Sequence, residues 1–401
     1  MKYIIVLGDG MADEPIEELG GKTPLEYGET PTMDELSKKS EIGLCYTIPE
    51  GMKPGSDTAN LSVLGYNPKV YYTGRSPLEA LSIGVDMKDG DIALRCNMVT
   101  LSDDTLPYED KRILDHSASE ISTEDGKVLL EAVRNELEND IYKYYLGTSY
   151  RHLTIWDKGE VVDLTAPHDI LGQVIGTYLP EDAYLKDMMR KSYDILNNHP
   201  LNMERAKKGL NKANSIWFWG AGTRPQLTSF EEKFHKRGAM ISAVDLLKGI
   251  AVGAGMRVVS VEGADGTLHT NYEGKAMAAV KELIENNQDF VYIHVEAPDE
   301  MGHQGSIANK IKAIEYLDHR VIKVVKNQME AAGVEYRMLI MPDHPTPIRC
   351  RTHTSNPVPY MLYDSSNQLD KKWNYNEAEA GNSGNVIRYG YEIINKLFEK
   401  S

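Results

Sequence analysis

Three apolar runs, at 3–7 (YIIVL), Phe290–Val295 (FVYIHV) and 338–341 (MLIM), each lead into acidic or histidine-bearing residues. The polar blocks are Gly8-Asp9-Gly10, Asp299-Glu300-Met301-Gly302-His303, and Asp343-His344 with His353 beyond. Runs with no polar alternation read as strands covered on both faces, the pattern of parallel α/β sheets. In such sheets ligands bind outside the carboxyl ends of the strands, so three strands would deliver their polar residues to one place.

The intervening segments agree with that frame. Between 306 and 332, Ile307, Ile311, Ile314, Leu317, Val321, Val324 or Val325 and Met329 recur at three- and four-residue steps before Gly333, which predicts an amphipathic helix. Residues 274–286 put Met277, Val280, Leu283 and Ile284 on one face ahead of the strand at Phe290. The order α-β-α-β predicts a doubly wound, mostly parallel sheet. The middle is of another character, from about 103 to 210: acidic helical residues at 131–139, tyrosines at 142–145 and a short strand at 152–156. It predicts an inserted α+β domain at 106–210 in a core made of 1–105 and 211–401. The core sheet is expected to resume at 215–220 (SIWFWG), with Gly220-Ala221-Gly222-Thr223 as a hinge or turn and an exposed, polar, partly irregular tail after Asp364.

Lys and Arg total 44 against 60 Asp and Glu, a net charge of −16 without long like-charge blocks, which argues against nucleic acid or an anionic membrane as partner. An anionic substrate would need local compensation by bound cations and convergent arginines. Cys45, Cys96 and Cys350 form no C-x-x-C pair, so neither a disulfide framework nor a zinc ribbon is indicated, and a reducing compartment fits. The run at 3–7 is too short for a signal peptide and no apolar stretch has membrane-spanning length, so a cytoplasmic protein is expected.

Asp9 alone suits a helix cap as well as a metal. Asp299 and His303, four residues apart, meet on one face if the backbone there is helical. Asp343 and His344 would point to opposite faces inside a strand, but at its end they can serve two cations or bridge them. His353, in a Thr-His-Thr loop, can close the shell. Three aspartates and three histidines form a mixed imidazole–carboxylate set suited to Mn²⁺, Zn²⁺ or a Mg²⁺ substitute. His199, His235, His269 and His319 lack an acidic partner in a comparable strand-end setting and are assigned to the surface. In Pro54-Gly55-Ser56-Asp57-Thr58-Ala59-Asn60, Ser56 would open a helix, where a serine ordinarily caps. Beside a metal set it becomes the nucleophile candidate, with helix N–H groups to hold a phosphoryl group and Thr58 and Asn60 to bond its oxygens.

The blocks VLGDGMAD, PGSDTANLSVLGYNP, LRCNMVTLSDD, ILDHSAS, YRHL, APHDILGQ, FWGAGTRP, ISAVDLLKGIA, HVEAPDEMGHQG and MPDHPTPI followed by THTSNPVP span nearly the whole chain. In them the sequence resembles the archaeal-type cofactor-independent (2,3-bisphosphoglycerate-independent) phosphoglycerate mutases of the alkaline phosphatase superfamily. The resemblance implies an alkaline-phosphatase-like α/β fold whose insert is a substrate-binding lid. It implies interconversion of 3-phosphoglycerate and 2-phosphoglycerate through a phosphoserine on Ser56, without 2,3-bisphosphoglycerate, while glycerate stays bound and water is kept out. One manganese-type ion would bind Asp9, Ser56, Asp343 and His344 and the other Asp299, His303 and His353, with Zn²⁺, Co²⁺ or Mg²⁺ as alternatives. The partner is then a small phosphorylated metabolite, and His116, Arg151, His152, His168, Asp169 and Arg224 are its candidate ligands. Lys275 is a weaker candidate, since it also fits the solvated face of its helix.

Three rivals remain open at this level. The same site could hydrolyse phosphate esters as a metal-dependent phosphatase. TGRSPLEA and HTNYEGKA resemble a branch proposed as homoserine kinases, although no G-x-x-x-x-G-K-[ST] loop is present. A binding module that has lost its chemistry is opposed by the intact set of seven ligating residues.

Overall fold

The computed structural model describes residues 1–399 and divides into two compact units, one of residues 1–72 and 226–399 and one of residues 73–225. Strands β1 (Lys2–Gly8) and β2 (Ser40–Cys45) belong to the larger unit. The smaller contains β3 (Ile92–Leu101), β4 (Ile113–Asp115), β5 (Tyr142–Thr148), β6 (Arg151–Trp156) and β7 (Ser215–Thr223). The larger unit then adds β8 (Gly238–Ile241), β9 (Arg257–Val259), β10 (Phe290–Val295), β11 (Tyr336–Met341), β12 (Val358–Asp364) and β13 (Val386–Ile387).

The larger unit is built on one eight-stranded sheet in the order β13-β2-β12-β11-β1-β10-β8-β9. β1 pairs in parallel with β10 and β11, and β10 with β8, giving a mixed α/β fold with a mostly parallel centre. Every residue of β10 and β11 is buried, as runs without polar alternation require, and each large apolar side chain so buried contributes about 1.5–3 kcal/mol. Register decides where the motifs go. Gly8 lies opposite Val295 and Leu7 opposite Met341, so Asp9, the 297–304 segment and Asp343 leave the sheet at the same edge. β12 runs antiparallel to β11, and β2 antiparallel to β12, so the loop that carries His353 and the one leading to Ser56 meet that edge too.

The helix expected at 306–332 is interrupted. It runs as Ile307–Leu317 and Lys323–Ala331 with a π-helical turn, Asp318–Ile322, between them. The buried Asp318 carboxylate accepts the N–H groups of Thr32 (3.1 Å) and Met33 (2.6 Å), satisfying the open start of the helix Pro31–Ser37. The tail after Asp364 is ordered more than its polarity suggests. Its helices Glu377–Asn382 and Ile393–Phe398 bury Ala380, Ile393, Ile394 and Leu397, and Tyr375 is buried ahead of them.

The smaller unit holds a five-stranded antiparallel sheet, β4-β3-β6-β5 with β7 on β3. This moves two boundaries. β3, placed by sequence in the core at 1–105, is the centre of this sheet, and the segment 215–220, expected to resume the core sheet, pairs through 215–219 with 95–99 instead. Both strands are as apolar as core strands, so composition could not say which sheet they join. The supposed hinge at 220–223 is the end of β7, where the register with β3 shifts between Ala93 and Arg95. Among the described residues no helix is long and apolar enough to cross a membrane.

Candidate metal centre and active site

Asp9 follows β1 and is buried. Gly10, at φ +60°, turns the chain so closely past the next motif that a Cβ there would lie 2.6 Å from Asp299 Oδ1. Its N–H donates to Asp343 Oδ1 (3.1 Å), so the Gly-Asp-Gly block is a tight turn that ties two aspartate loops together. Asp299 and His303 lie on the helix Ala297–Gln304, whose turn brings His303 Nε2 to 3.1 Å from Asp299 Oδ2. His303 Nδ1 is 2.9 Å from the Arg351 carbonyl, which assigns the Nδ1–H tautomer and leaves Nε2 directed inward, 3.0 Å from His353 Nε2.

Two groups of ligand atoms result, Asp9, Asp343 and His344, and Asp299, His344 and His353, with the atoms of each within 4.8 Å of one another. His344 thus stands in both, and His303 adjoins the second. Three buried carboxylates share this space. Burial, then repulsion from Asp343 and Asp299, raises the Asp9 pKa well above its ordinary value. Asp299 goes the other way: burial would raise it, but contacts from His303 and His353 hold it well below. The same Asp299 contact lifts His303 to about 9, whereas burial lowers His344. Asp9 Oδ1 is buried with no hydrogen-bond partner among the described residues. An orphaned carboxylate oxygen amid like charges, with imidazoles at hand, fits divalent cations bound by mixed oxygen and nitrogen donors.

Ser56 is the first residue of the helix Ser56–Val63 but not its cap. Gly55 occupies that position, and the Ser56 hydroxyl lies 3.0 Å from His344 Nε2. Asn60, one turn on, donates to the Ser56 carbonyl (2.7 Å) and to Asp343 Oδ2 (2.9 Å) and accepts from Tyr292 Oη (2.5 Å). It and Thr58 are buried, so Asn60 braces the serine turn against Asp343 and is not available to phosphoryl oxygens as expected.

In the smaller unit the candidates separate. His116 packs edge-on against Tyr150 and His168, with ring centroids at 5.8 and 6.1 Å, and His168 against Trp219 at 5.2 Å. The Arg95 guanidinium lies 4.4 Å over Trp219 and that of Arg151 5.3 Å over Tyr150. Asp169 is exposed 3.6 Å from His168, and Arg224 is exposed without an ion pair among the described residues. Two candidates are corrected. His152 is buried in β6, its Nδ1 accepting the Gly147 N–H, and burial lowers its pKa to about 4, so it does not face a ligand. Lys275, 0% exposed, donates to the His294 carbonyl (3.1 Å) and is lowered to about 8 by burial. It is neither on a solvated face nor open to substrate.

The sequence reading also passed over Arg75 and Arg95, which share Glu79 at 3.1 and 3.0 Å. Burial, more than the nearby Arg75 and Arg151, brings Arg95 down to about 10. The signal was an arginine inside the apolar run of LRCNMVTL. His294, in FVYIHV, was the corresponding signal in the larger unit.

The 2,3-bisphosphoglycerate-independent phosphoglycerate mutase family model matches residues 37–202. A relative from Geobacter sulfurreducens, described as a probable 2,3-bisphosphoglycerate-independent phosphoglycerate mutase, is 47% identical over 406 residues and covers 100% of both chains. One from Methanosarcina barkeri, with the same description without the qualifier, is 47% identical over 96% of this chain and 97% of its own. Among solved structures, one from Pyrococcus horikoshii matches with a TM-score of 0.81 at 29% identity, over 100% of this chain and 98% of the other. The cofactor-independent phosphoglycerate mutase from Thermoplasma acidophilum matches at 0.65 and 25% identity, over 99% of both.

Proposed function

The chain belongs to the 2,3-bisphosphoglycerate-independent phosphoglycerate mutase family, isomerases by name, and on that premise we propose that it interconverts 3-phosphoglycerate and 2-phosphoglycerate through a phosphoserine on Ser56, with two divalent cations. The observation that carries this reading is the Ser56 hydroxyl, 3.0 Å from His344 Nε2, at the start of a helix and beside three buried aspartates.

Ser56 Oγ gives up its proton and bonds to phosphorus as the bond to the 3-oxygen of the substrate breaks, and the 3-oxygen takes up a proton to leave glycerate. Glycerate then turns, its 2-hydroxyl gives up its proton and takes the phosphoryl group, and the bond from phosphorus to Ser56 Oγ breaks as Oγ regains a proton. Asn60 and the first turn of the Ser56–Val63 helix keep the nucleophile at one point, and the helix N-terminus favours the phosphoryl anion. We assign one ion to Asp9, Ser56, Asp343 and His344 and the other to Asp299, His303 and His353, with His344 close enough to both groups to couple them. When bound, such ions supply Lewis acidity that activates the serine hydroxyl and offsets charge on the phosphoryl oxygens. Mn²⁺ suits this donor set.

To the smaller unit we assign recognition of the substrate anion and exclusion of water. Supporting this is the row of Arg95, Trp219, His168, His116, Tyr150 and Arg151, since planar guanidinium groups held on rings suit carboxylate and phosphate. A cytoplasmic setting agrees with the free Cys45 and Cys96, whose thiols burial renders inert.

The deciding experiment is a coupled assay for 2-phosphoglycerate from 3-phosphoglycerate, with and without Mn²⁺, beside homoserine plus ATP. Metal-dependent formation of 2-phosphoglycerate is expected. Release of inorganic phosphate without it would make the protein a phosphatase, and turnover of homoserine alone would make it a kinase.

A further inference from the structure

Lys310 lies on the helix Ile307–Leu317 and is fully buried, an arrangement that is strongly unfavourable unless the ammonium is well paired. Its three donors are all used. Nζ donates to Asp13 Oδ2 (2.8 Å), to the Thr346 carbonyl (2.9 Å) and to the Ala12 carbonyl (3.3 Å). One ammonium therefore joins the loop after β1, which carries Asp9, to the loop after β11, which carries Asp343 and His344.

The partners extend that junction in both directions. Asp13 accepts the Ile348 N–H at 3.2 and 3.3 Å, a second link between the same two loops. The Asp13 N–H donates to Glu377 Oε1 (3.0 Å), and Glu377 Oε2 accepts from Thr23 Oγ1 (2.6 Å). On the other side, Thr346 carries its hydroxyl to Asp299 Oδ1 (2.5 Å) and to within 3.3 Å of His344 Nδ1. The residue whose carbonyl Lys310 holds thus touches Asp299, of one group of ligand atoms, and His344, which stands in both. The ammonium adds a charged tie to the backbone links between these loops, the Gly10 N–H on Asp343 and the Thr346 N–H on the Ala12 carbonyl (3.3 Å), where the carboxylates they bear repel one another, and a hydrophobic residue at 310 could bond neither carbonyl.

We propose that Lys310 is a positioning residue that, by clamping Ala12-Asp13 to Thr346, sets the separation of the two cation sites. This rests on the two-ion reading given above. Neither Lys310 nor Asp13 is assigned to a cation, so their effect is on spacing.

The test uses the full-length protein stripped of metal and titrated with Mn²⁺, read by calorimetry and by electron paramagnetic resonance, in which two nearby Mn²⁺ ions give a coupled spectrum unlike that of isolated ions. Lys310→Met is expected to bind at least one Mn²⁺ tenfold or more weakly and to lose the coupled spectrum. Because it strands the Asp13 carboxylate in the interior, it is paired with Lys310→Met/Asp13→Asn, which removes both charges and keeps an acceptor for Ile348. The double variant is expected to unfold cooperatively like the parent and still to give the spectrum of isolated ions. If it folds and retains both affinities and the coupled spectrum, Lys310 does not set the spacing. If the parent itself takes up no pair of ions, the two-ion reading fails and this proposal with it, a result distinct from the first.

Discussion

His294 Nε2 stands 2.8 Å from Asp9 Oδ2, with both side chains closed off from solvent. Ser242 Oγ accepts the Val244 N–H (3.0 Å) and lies 3.2 Å from His294 Nδ1, so the ring is held at both nitrogens. Burial keeps the ring neutral, with its pKa lowered to about 3. Oδ2 of Asp9 is occupied by the contact with His294, and Oδ1 is left 3.5 Å from His344 Nε2. His294→Ala is expected to weaken one Mn²⁺ by about 10- to 100-fold, the usual cost of losing an outer partner of a metal ligand. Titration of the metal-free variant measures it, and an unchanged affinity would leave His294 without a role in orienting Asp9.

Ser56→Ala separates chemistry from metal binding. The Ser56 hydroxyl does not cap its helix, so its loss leaves no backbone N–H open, and Asn60 still braces the turn. The variant should keep the calorimetric signature of two ions while mutase turnover falls by roughly a thousandfold or more. Intact mass after incubation with 3-phosphoglycerate reads the intermediate directly. A phosphorylated Ser56→Ala protein would place the nucleophile elsewhere.

Arg151→Ala tests the smaller unit. The side chain is exposed and rests on Tyr150, so its removal should change stability by no more than about 0.5 kcal/mol. A charge-assisted hydrogen bond to substrate is worth about 1.5–3 kcal/mol, so KM for 3-phosphoglycerate should rise by roughly 10- to 100-fold, with kcat changing less. Steady-state kinetics at saturating Mn²⁺ decide it, and an unaltered KM would take Arg151 out of substrate recognition.

What could be read in advance follows from how locally each feature is encoded. Asp9, Asp299 and Asp343 announce themselves because each follows a strand whose apolar run is complete within six or seven residues, and the i, i+4 spacing of Asp299 and His303 needs only one helical turn. Membership of β3 and β7 in the second sheet was hidden, because a buried strand looks the same from either sheet. Lys275 and Lys310 were hidden for a related reason. Helical periodicity marks the apolar stripe but cannot show that the lysines off it meet carbonyls of other elements, the β10 strand for Lys275 and distant loops for Lys310. His294 sat in plain view within a strand, but its partner is 285 positions away.

The buried His152 gives the fold a pH dependence of definite sign. Its ring is 2% exposed, Nδ1 is engaged by the Gly147 N–H and Nε2 has no partner among the described residues, so burial disfavours the imidazolium and lowers the pKa to about 4. The unfolded chain, with an ordinary value near 6.5, binds a proton that the folded chain refuses between these limits. Stability from this residue is therefore complete above pH 6.5 and is lost as pH falls through 6.5 towards 4. At roughly 1.4 kcal/mol per pH unit the loss reaches about 3 kcal/mol. His152→Gln, which keeps an acceptor for Gly147 but cannot be charged, should start less stable at pH 7.5 and lose less on acidification. Urea unfolding of the metal-free proteins at pH 7.5, 6, 5 and 4, followed by fluorescence, compares the two. Parallel curves for parent and variant would mean that His152 takes up its proton without opening the sheet around β6.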